Sequence, residues 1–224
     1  MCIHLGWDCI DFMRLPNFLV IGAAKAGTTT VYQYLKQHPQ IYMSPRKEPH
    51  FFSKNGTKDY PIPTLEDYQA LFQGASDEIA IGEASTSYLT HPQAAERIQY
   101  HIPNAKLIAI LRDPANRTYS LYIMLLMLGV RKLSSYTHQE IIDNFHDIVK
   151  KRSGLIRGGF YYSHLQRYYS LNKIYKTYVD LRNQNLEQPP KLPHEIRQQL
   201  IEVYREDILK LQDLLQRDLS IWLQ

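Results

Sequence analysis

Cysteine is nearly absent: the 224 residues contain two, Cys2 and Cys9, both close to the start. No disulfide framework can be built across a domain from there, so a reducing compartment is the default expectation. A basic n-region ahead of an apolar stretch is missing too. Residues 1–16 carry Asp8 and Asp11 instead, which makes a poor secretory leader. Long apolar runs are lacking: Leu121 to Val130 is the longest, too short to span a bilayer and set inside a helical pattern. There is no internal repeat and no low-complexity tract. Excess charge of one sign is small, a net +4. That balance suits an anionic ligand but falls far short of the basic stripe of a nucleic-acid binder. These absences point to a soluble, cytoplasmic protein with no membrane span and no nucleic-acid partner.

What is present is ordinary for a globular chain: 44% hydrophobic and 21% charged residues. The length suits one α/β domain with a sizeable core. The first half alternates apolar strands with helical stretches, the pattern of βα units around a parallel sheet. Strands are expected at Asn17 to Ile21, Ile41 to Met43, Ile79 to Ile81 and Leu107 to Leu111. Thr28 is expected to cap a helix with apolar positions Val31, Leu35 and His38, ended by Pro39. An acidic helix is expected around Leu65 to Gln73. Asp113-Pro114 makes a good N-cap and N1 pair for the helix after strand four. The last helix, from about Glu195 to Leu223, carries one stripe: Ile196, Leu200, Tyr204, Ile208, Leu211, Leu215, Leu219 and Trp222. Glu206 with Lys210, and Asp213 with Arg217, are i,i+4 pairs on its wet side.

The segment Gly22 to Thr30, GAAKAGTTT, lies between a strand and a helix. Small residues let the backbone curl so that amides point inward, and the following helix adds its positive dipole end. Thr28, Thr29 and Thr30 bring hydroxyls to the same place. Such a nest suits phosphate or sulfate. In the Walker pattern G-x4-G-K-[ST], Gly22, Gly27 and Thr29 fit, but position 28 is Thr and the lysine has moved into the loop at Lys25. A lysine there should meet a ligand near its bridging oxygens. The plainer reading is a strand–helix turn with a surface lysine.

Four blocks in order resemble the PAPS-dependent sulfotransferase family, in its heparan-sulfate-type and bacterial carbohydrate sulfotransferase branch. Gly22 to Thr30, with Tyr34-Leu35 and His38-Pro39, is similar to the 5'-phosphosulfate-binding segment. Lys47-Glu48-Pro49-His50-Phe51-Phe52 is similar to the K-E-x-H-F-F stretch. Gly82-Glu83-Ala84-Ser85 with Tyr88 resembles the next block. Leu111-Arg112-Asp113-Pro114, with Arg117 and Ser120, resembles the 3'-phosphate-binding segment.

The resemblance covers about Leu15 to Arg167 and the final helix. It implies a P-loop-like three-layer α/β sandwich with a central parallel sheet, in one domain over 1–224. It implies 3'-phosphoadenosine-5'-phosphosulfate (PAPS) as co-substrate, a hydroxyl or amine acceptor, commonly on a carbohydrate, and no metal. On that resemblance Lys25 contacts the bridging oxygen, and Ala26, Gly27, Thr28, Thr29 and Thr30 hold the 5'-phosphosulfate. Arg112 and Ser120 hold the 3'-phosphate, and Glu48 is the catalytic base. Glu83 ranks second as base or as an orienter of Lys25, and His50 is a further catalytic candidate.

The plainer alternatives are a surface carboxylate for Glu48, a packing residue for His50 and a structural ion-pair partner for Arg117. The paired tyrosines Tyr161-Tyr162 and Tyr168-Tyr169 read as packing before a sugar cleft. The usual Glu-Lys of the third block is Glu83-Ala84 here. Residues 170–193 read as a shortened region, and Arg157-Gly158-Gly159 does not match the family's closing loop. An inactive nucleotide-binding paralogue and a P-loop kinase or NTPase are the rival readings. A second copy of the chain completing the site is left open.

Overall fold

Asn17 acts as a clamp at the entry to the first strand. Its side chain donates to the Ile79 carbonyl and accepts from the Ile81 amide, both at 2.9 Å. Its backbone bonds Ile81 on one side and Lys106 on the other, both at 2.8 Å. Phe18–Gly22 follows as β1. The structure, a computed structural model, describes residues 14–53, 62–127, 142, 143, 145 and 191–224. The tyrosine pairs, the 157–159 loop and the expected shortening up to residue 190 lie outside the described residues.

The described residues fall into two compact units, 1–111 and 112–224. In the first, β1 is joined by β2 (Ile41–Met43), β3 (Ala80–Ala84) and β4 (Lys106–Ala109) in the order β2-β3-β1-β4. All three pairings are parallel. β1 is apolar throughout, and its alternate residues serve opposite faces. Leu19 and Ile21 pack with Phe52, Tyr68, Phe72 and Ile98, on the side of α2 (Leu65–Ala70) and α3 (Ala94–His101). Phe18 and Val20 pack with Tyr32, Leu35 and Met43, on the side of α1 (Thr28–Leu35). Helices on both faces of a parallel sheet make the expected three-layer α/β arrangement.

Several local expectations shift. Gly27, not Thr28, is the N-cap of α1, and no side chain caps it. Gly27 adopts φ 97°, a left-handed turn that needs no Cβ, so the helix starts one residue earlier than a threonine cap would give. The buried face of α1 is Thr28 and Tyr32, while His38 is exposed beyond the helix end. The Tyr32 hydroxyl donates to the Ser44 carbonyl at 2.7 Å, and that anchor sets the helix rotation. β3 runs further than Ile81, because Gly82 to Ala84 pair onward with β1.

In the second unit, α4 (Pro114–Met127) begins as expected at Asp113. The Asp113 carboxylate accepts from the Ala115 amide at 2.8 Å and from Asn116 Nδ2 at 2.9 Å. Arg197 of α5 (His194–Leu215) reaches the same carboxylate at 2.7 Å. Between these helices pack Ala115, Tyr119, Tyr122, Ile123, Phe145, Ile196 and Leu200. The Glu206–Lys210 pair forms at 3.7 Å. The last helix stops short of the expected Leu223. Gln216 turns left-handed at φ 49°, and the Arg217 amide bonds the Gln212 carbonyl at 3.2 Å, a Schellman ending. Arg217 is therefore past the helix, and Trp222 sits in a separate 3-10 turn, Ser220–Leu223.

Gly82 lies opposite Phe18 in the register. A Cβ at residue 82 would fall 2.3 Å from the Phe18 ring. Gly82→Ala should therefore lower stability by about 2 kcal/mol or more, the scale of core overpacking. Urea unfolding measures it, and an unchanged midpoint would show that the ring moves aside freely.

Candidate functional site

The carboxyl ends of β1 and β3 place two loops side by side. After β1 the chain turns through residues 23–27 into α1. The Ala26 amide bonds back to the Ala23 carbonyl at 3.2 Å, and the Ala23 amide bonds Ile110 at 2.8 Å, so the loop is tied to the strand-four side. Lys25, half-buried, sits at the crest with φ 67°, a left-handed conformation unusual for a residue with a side chain. The first backbone bond into α1 runs from Val31 to Gly27 at 3.1 Å. The amides of Thr28, Thr29 and Thr30 precede it and have no partner within the helix. A Cβ built on Gly27 would meet nothing within 4 Å, so the loop opens outward there. An uncapped helix start, an open glycine and an adjacent lysine fit an anion.

The second loop, residues 44–50, runs along the end of β3. Glu48 and His50 adopt φ 60° and 59°, again left-handed. Four consecutive residues hold them. The Ala84 carbonyl accepts from the Glu48 amide at 2.9 Å. The Ser85 hydroxyl oxygen accepts from the His50 amide at 3.0 Å. The Thr86 amide donates to Glu48 Oε2 at 2.9 Å, and its hydroxyl donates to the same carboxylate at 3.2 Å. The Ser87 hydroxyl lies 2.7 Å from His50 Nδ1. Lys47 Nζ is 2.7 Å from Glu48 Oε1, and His50 Nε2 is 3.4 Å from Oε2. When Nδ1 accepts from Ser87, the ring proton is on Nε2 and faces the carboxylate.

This same stretch also supports the lysine loop. A Cβ on Gly22 would lie 2.9 Å from Leu89 Cβ and 3.2 Å from the Thr86 carbonyl. The Ser85 amide bonds Val20 at 3.1 Å, and the Leu89 amide bonds Ile21 at 3.0 Å. Residues 84–89 thus form one wall against which both the Lys25 loop and the Glu48 turn are set.

Glu83 lies beneath this wall, fully buried. Its Oε1 accepts from the Tyr68 hydroxyl at 3.2 Å and its Oε2 from Ser85 at 2.9 Å. Burial pushes its carboxyl up to about 7; hydroxyl donors from Tyr88, Ser85 and Tyr68 oppose the rise, and the Glu48 charge adds to it. The phenols of Tyr68 and Tyr88 are pushed well above their usual range, first by burial and then by Glu83. They remain donors to the carboxylate.

The sequence candidates thus divide. Glu48, His50 and Glu83 meet in one network, with Lys25 on the neighbouring loop. Arg112 and Ser120 belong to the second unit, Arg112 exposed just before the Asp113 cap and Ser120 half-buried on α4. The roles of Thr86, Ser87 and Tyr68 were not foreseen. A run of three hydroxyl residues after a strand, Ser85-Thr86-Ser87, was the available signal. Among the described residues, no three His, Cys, Asp or Glu side chains are placed to hold a metal, and no helix is long and apolar enough to cross a membrane.

The sulfotransferase domain family matches residues 15–186. The chain is 36% identical over 142 residues to the membrane-associated sulfotransferase kil1 of Dictyostelium discoideum, covering 61% of this chain and 29% of that protein. It is 36% identical over 122 residues to the bifunctional heparan sulfate N-deacetylase/N-sulfotransferase 3 of Homo sapiens, covering 49% and 13% respectively. To carbohydrate sulfotransferase 15 of Homo sapiens it is 32% identical over 154 residues, covering 49% and 27%. The chain therefore spans less than a third of the length of these relatives. The crystal structure of a sulfotransferase from Alicyclobacillus acidocaldarius superposes with a TM-score of 0.65 at 28% identity, covering 94% of this chain and 100% of that one.

The Glu83 environment makes stability depend on pH. Its folded value, about 7, lies above the ordinary 4.5, so the folded state holds the proton more tightly than the unfolded chain. This contribution is complete below pH 4.5 and is lost as pH rises through about 7. Urea unfolding across that window should show stability falling with pH more steeply in the wild type than in Glu83→Gln. Equal slopes would remove Glu83 as the source.

Proposed function

The chain belongs to the sulfotransferase domain family, and from that premise we propose that it transfers a sulfuryl group from PAPS to a hydroxyl or amine on a carbohydrate acceptor. The observation that carries this reading is the shared wall of residues 84–89, which sets the Lys25 loop and the Glu48 turn side by side. The relatives named for heparan sulfate and carbohydrate sulfation support the acceptor class.

The donor supplies the sulfuryl group and a phosphate leaving group. In the reaction the bond from sulfur to the bridging oxygen breaks, the bond from sulfur to the acceptor oxygen forms, and the acceptor's proton must leave. Charge grows on the departing phosphate oxygen. The Lys25 ammonium, held at the crest of its loop, opposes that charge and stabilises the transition state more than the ground state. The amides of Thr28 to Thr30 and the start of the α1 dipole hold the 5' side of the donor. On the family resemblance alone, Arg112 and Ser120 are the candidates to meet a 3'-phosphate.

Glu48 receives the acceptor proton. The Thr86 amide and His50 Nε2 meet its Oε2, and Lys47 meets its Oε1. A base must be oriented before its basicity is useful, and this carboxylate is held by donors on both oxygens.

Two measurements test the reading. Calorimetric titration should show tighter binding of adenosine 3',5'-bisphosphate than of ADP; equal affinities would remove the 3'-phosphate site and with it the donor assignment. With radiolabelled PAPS and desulfated heparan chains, Lys25→Ala should lower label transfer about 10²–10³-fold with the fold retained. A Lys25→Ala protein transferring at the wild-type rate would show that the lysine does not meet the leaving oxygen.

A further inference from the structure

The turn that presents Glu48 is conformationally expensive. Two of its three residues from Glu48 to His50 are left-handed and carry side chains. Each costs on the order of 1–3 kcal/mol unless the surroundings over-determine it. The backbone donor of His50 is satisfied by a side chain, the Ser85 hydroxyl, at 3.0 Å. Both Ser85 and His50 are buried, so no water competes for that amide.

A hydroxyl can accept only if its own hydrogen is pointed elsewhere. Ser85 directs its hydrogen to Glu83 Oε2 at 2.9 Å. Above about pH 7 Glu83 is ionised, accepts and never donates, so it fixes the polarity of the chain of bonds: His50 N–H to Ser85 Oγ, Ser85 O–H to Glu83. Glu83 is itself held by the Tyr68 hydroxyl at 3.2 Å on its other oxygen. It has no exposed surface, and its place is below the site floor.

We propose that Glu83, acting through Ser85, is a positioning residue that locks the backbone of the Glu48–His50 turn and so aims the Glu48 carboxylate. Glu83 is then neither the base nor a ligand of the donor. This rests on the reading of Glu48 as the base. An amide at position 83 has one accepting atom where the carboxylate has two, so Ser85 and Tyr68 can no longer both direct their hydrogens to it, and a donor turned toward Ser85 would leave the His50 amide facing a hydrogen. Removing the hydroxyl takes away the acceptor that this buried amide uses, a loss that buried donors do not tolerate cheaply.

The test compares Ser85→Ala and Glu83→Gln with the wild-type chain by amide hydrogen exchange and by transfer kinetics. In Ser85→Ala the His50 amide should exchange at least tenfold faster, while the amides of β1 keep their protection. Transfer at saturating PAPS should fall at least tenfold, while the affinity for adenosine 3',5'-bisphosphate stays within twofold. Glu83→Gln, which keeps the side-chain volume, should show the same split and serves if Ser85→Ala fails to fold. A His50 amide exchanging within twofold of wild type in the folded variants would overturn the proposal, as would a loss of nucleotide affinity equal to the loss of rate. If the wild-type chain neither binds the bisphosphate nor transfers sulfate, the functional reading fails, and the exchange data still decide whether the lock exists.

Discussion

Ala84, Ser85, Thr86 and Ser87 each take one polar group of the turn carrying Glu48 and His50. The arrangement around the site follows from that one-to-one matching. A turn with two left-handed, non-glycine residues has no stable existence on its own. Here it is templated by the segment that leaves β3. That segment inherits its placement from the sheet, since β3 pairs with β1 from Phe18↔Gly82 to Val20↔Ala84. The site is therefore an extension of the parallel pairing by a few residues past the strand ends, where ligand crevices of open α/β sheets lie.

The same segment constrains the lysine loop from below. Gly22 has Leu89 and the Thr86 carbonyl where a side chain would go. Lys25 is left-handed on one loop, and Glu48 and His50 on the other. The Glu48–His50 turn leads directly into Phe51 and Phe52, which pack with Leu19, Tyr68 and Tyr88 in one buried cluster. Phe51 stacks on Tyr68 at 4.5 Å and Phe52 meets it edge-on at 5.2 Å. These rings also exclude water from Glu83, which is why a carboxylate with several hydroxyl donors still rises to about 7.

In the second unit Asp113 has a comparable organising role. It caps α4 and receives Arg197 from α5 at 2.7 Å, so a cap and an interhelical ion pair share one carboxylate. Arg112 immediately precedes it. The backbone at the start of α4 is thus tied one residue after Arg112.

The four strands, the strand–loop–helix at Gly22 to Thr30 and the Asp113-Pro114 helix start were legible in the residues alone. Each depends on local rules: apolar runs, small residues at a turn, a side-chain oxygen before a helix. The identity of the candidates Lys25, Glu48, His50 and Glu83 was legible as well, through the order of four blocks. What could not be read from residue patterns was decided by the backbone conformation at single residues and by contacts distant in sequence. Gly27 replaced Thr28 as the cap because the loop enters α1 through a left-handed residue at φ 97°, and Thr28 is buried in the first turn instead. α5 ended at Leu215 although its apolar period continues, because a left-handed Gln216 closes the helix. Glu83 and Glu48 are both acidic residues in matched blocks, and no pattern separates them. Only the tertiary structure, by burying one under three tyrosine and serine hydroxyls and leaving the other partly exposed between a lysine and a backbone amide, gave them different chemistry. Burial and long-range hydrogen bonding set that difference, and neither is a property of a short stretch of sequence.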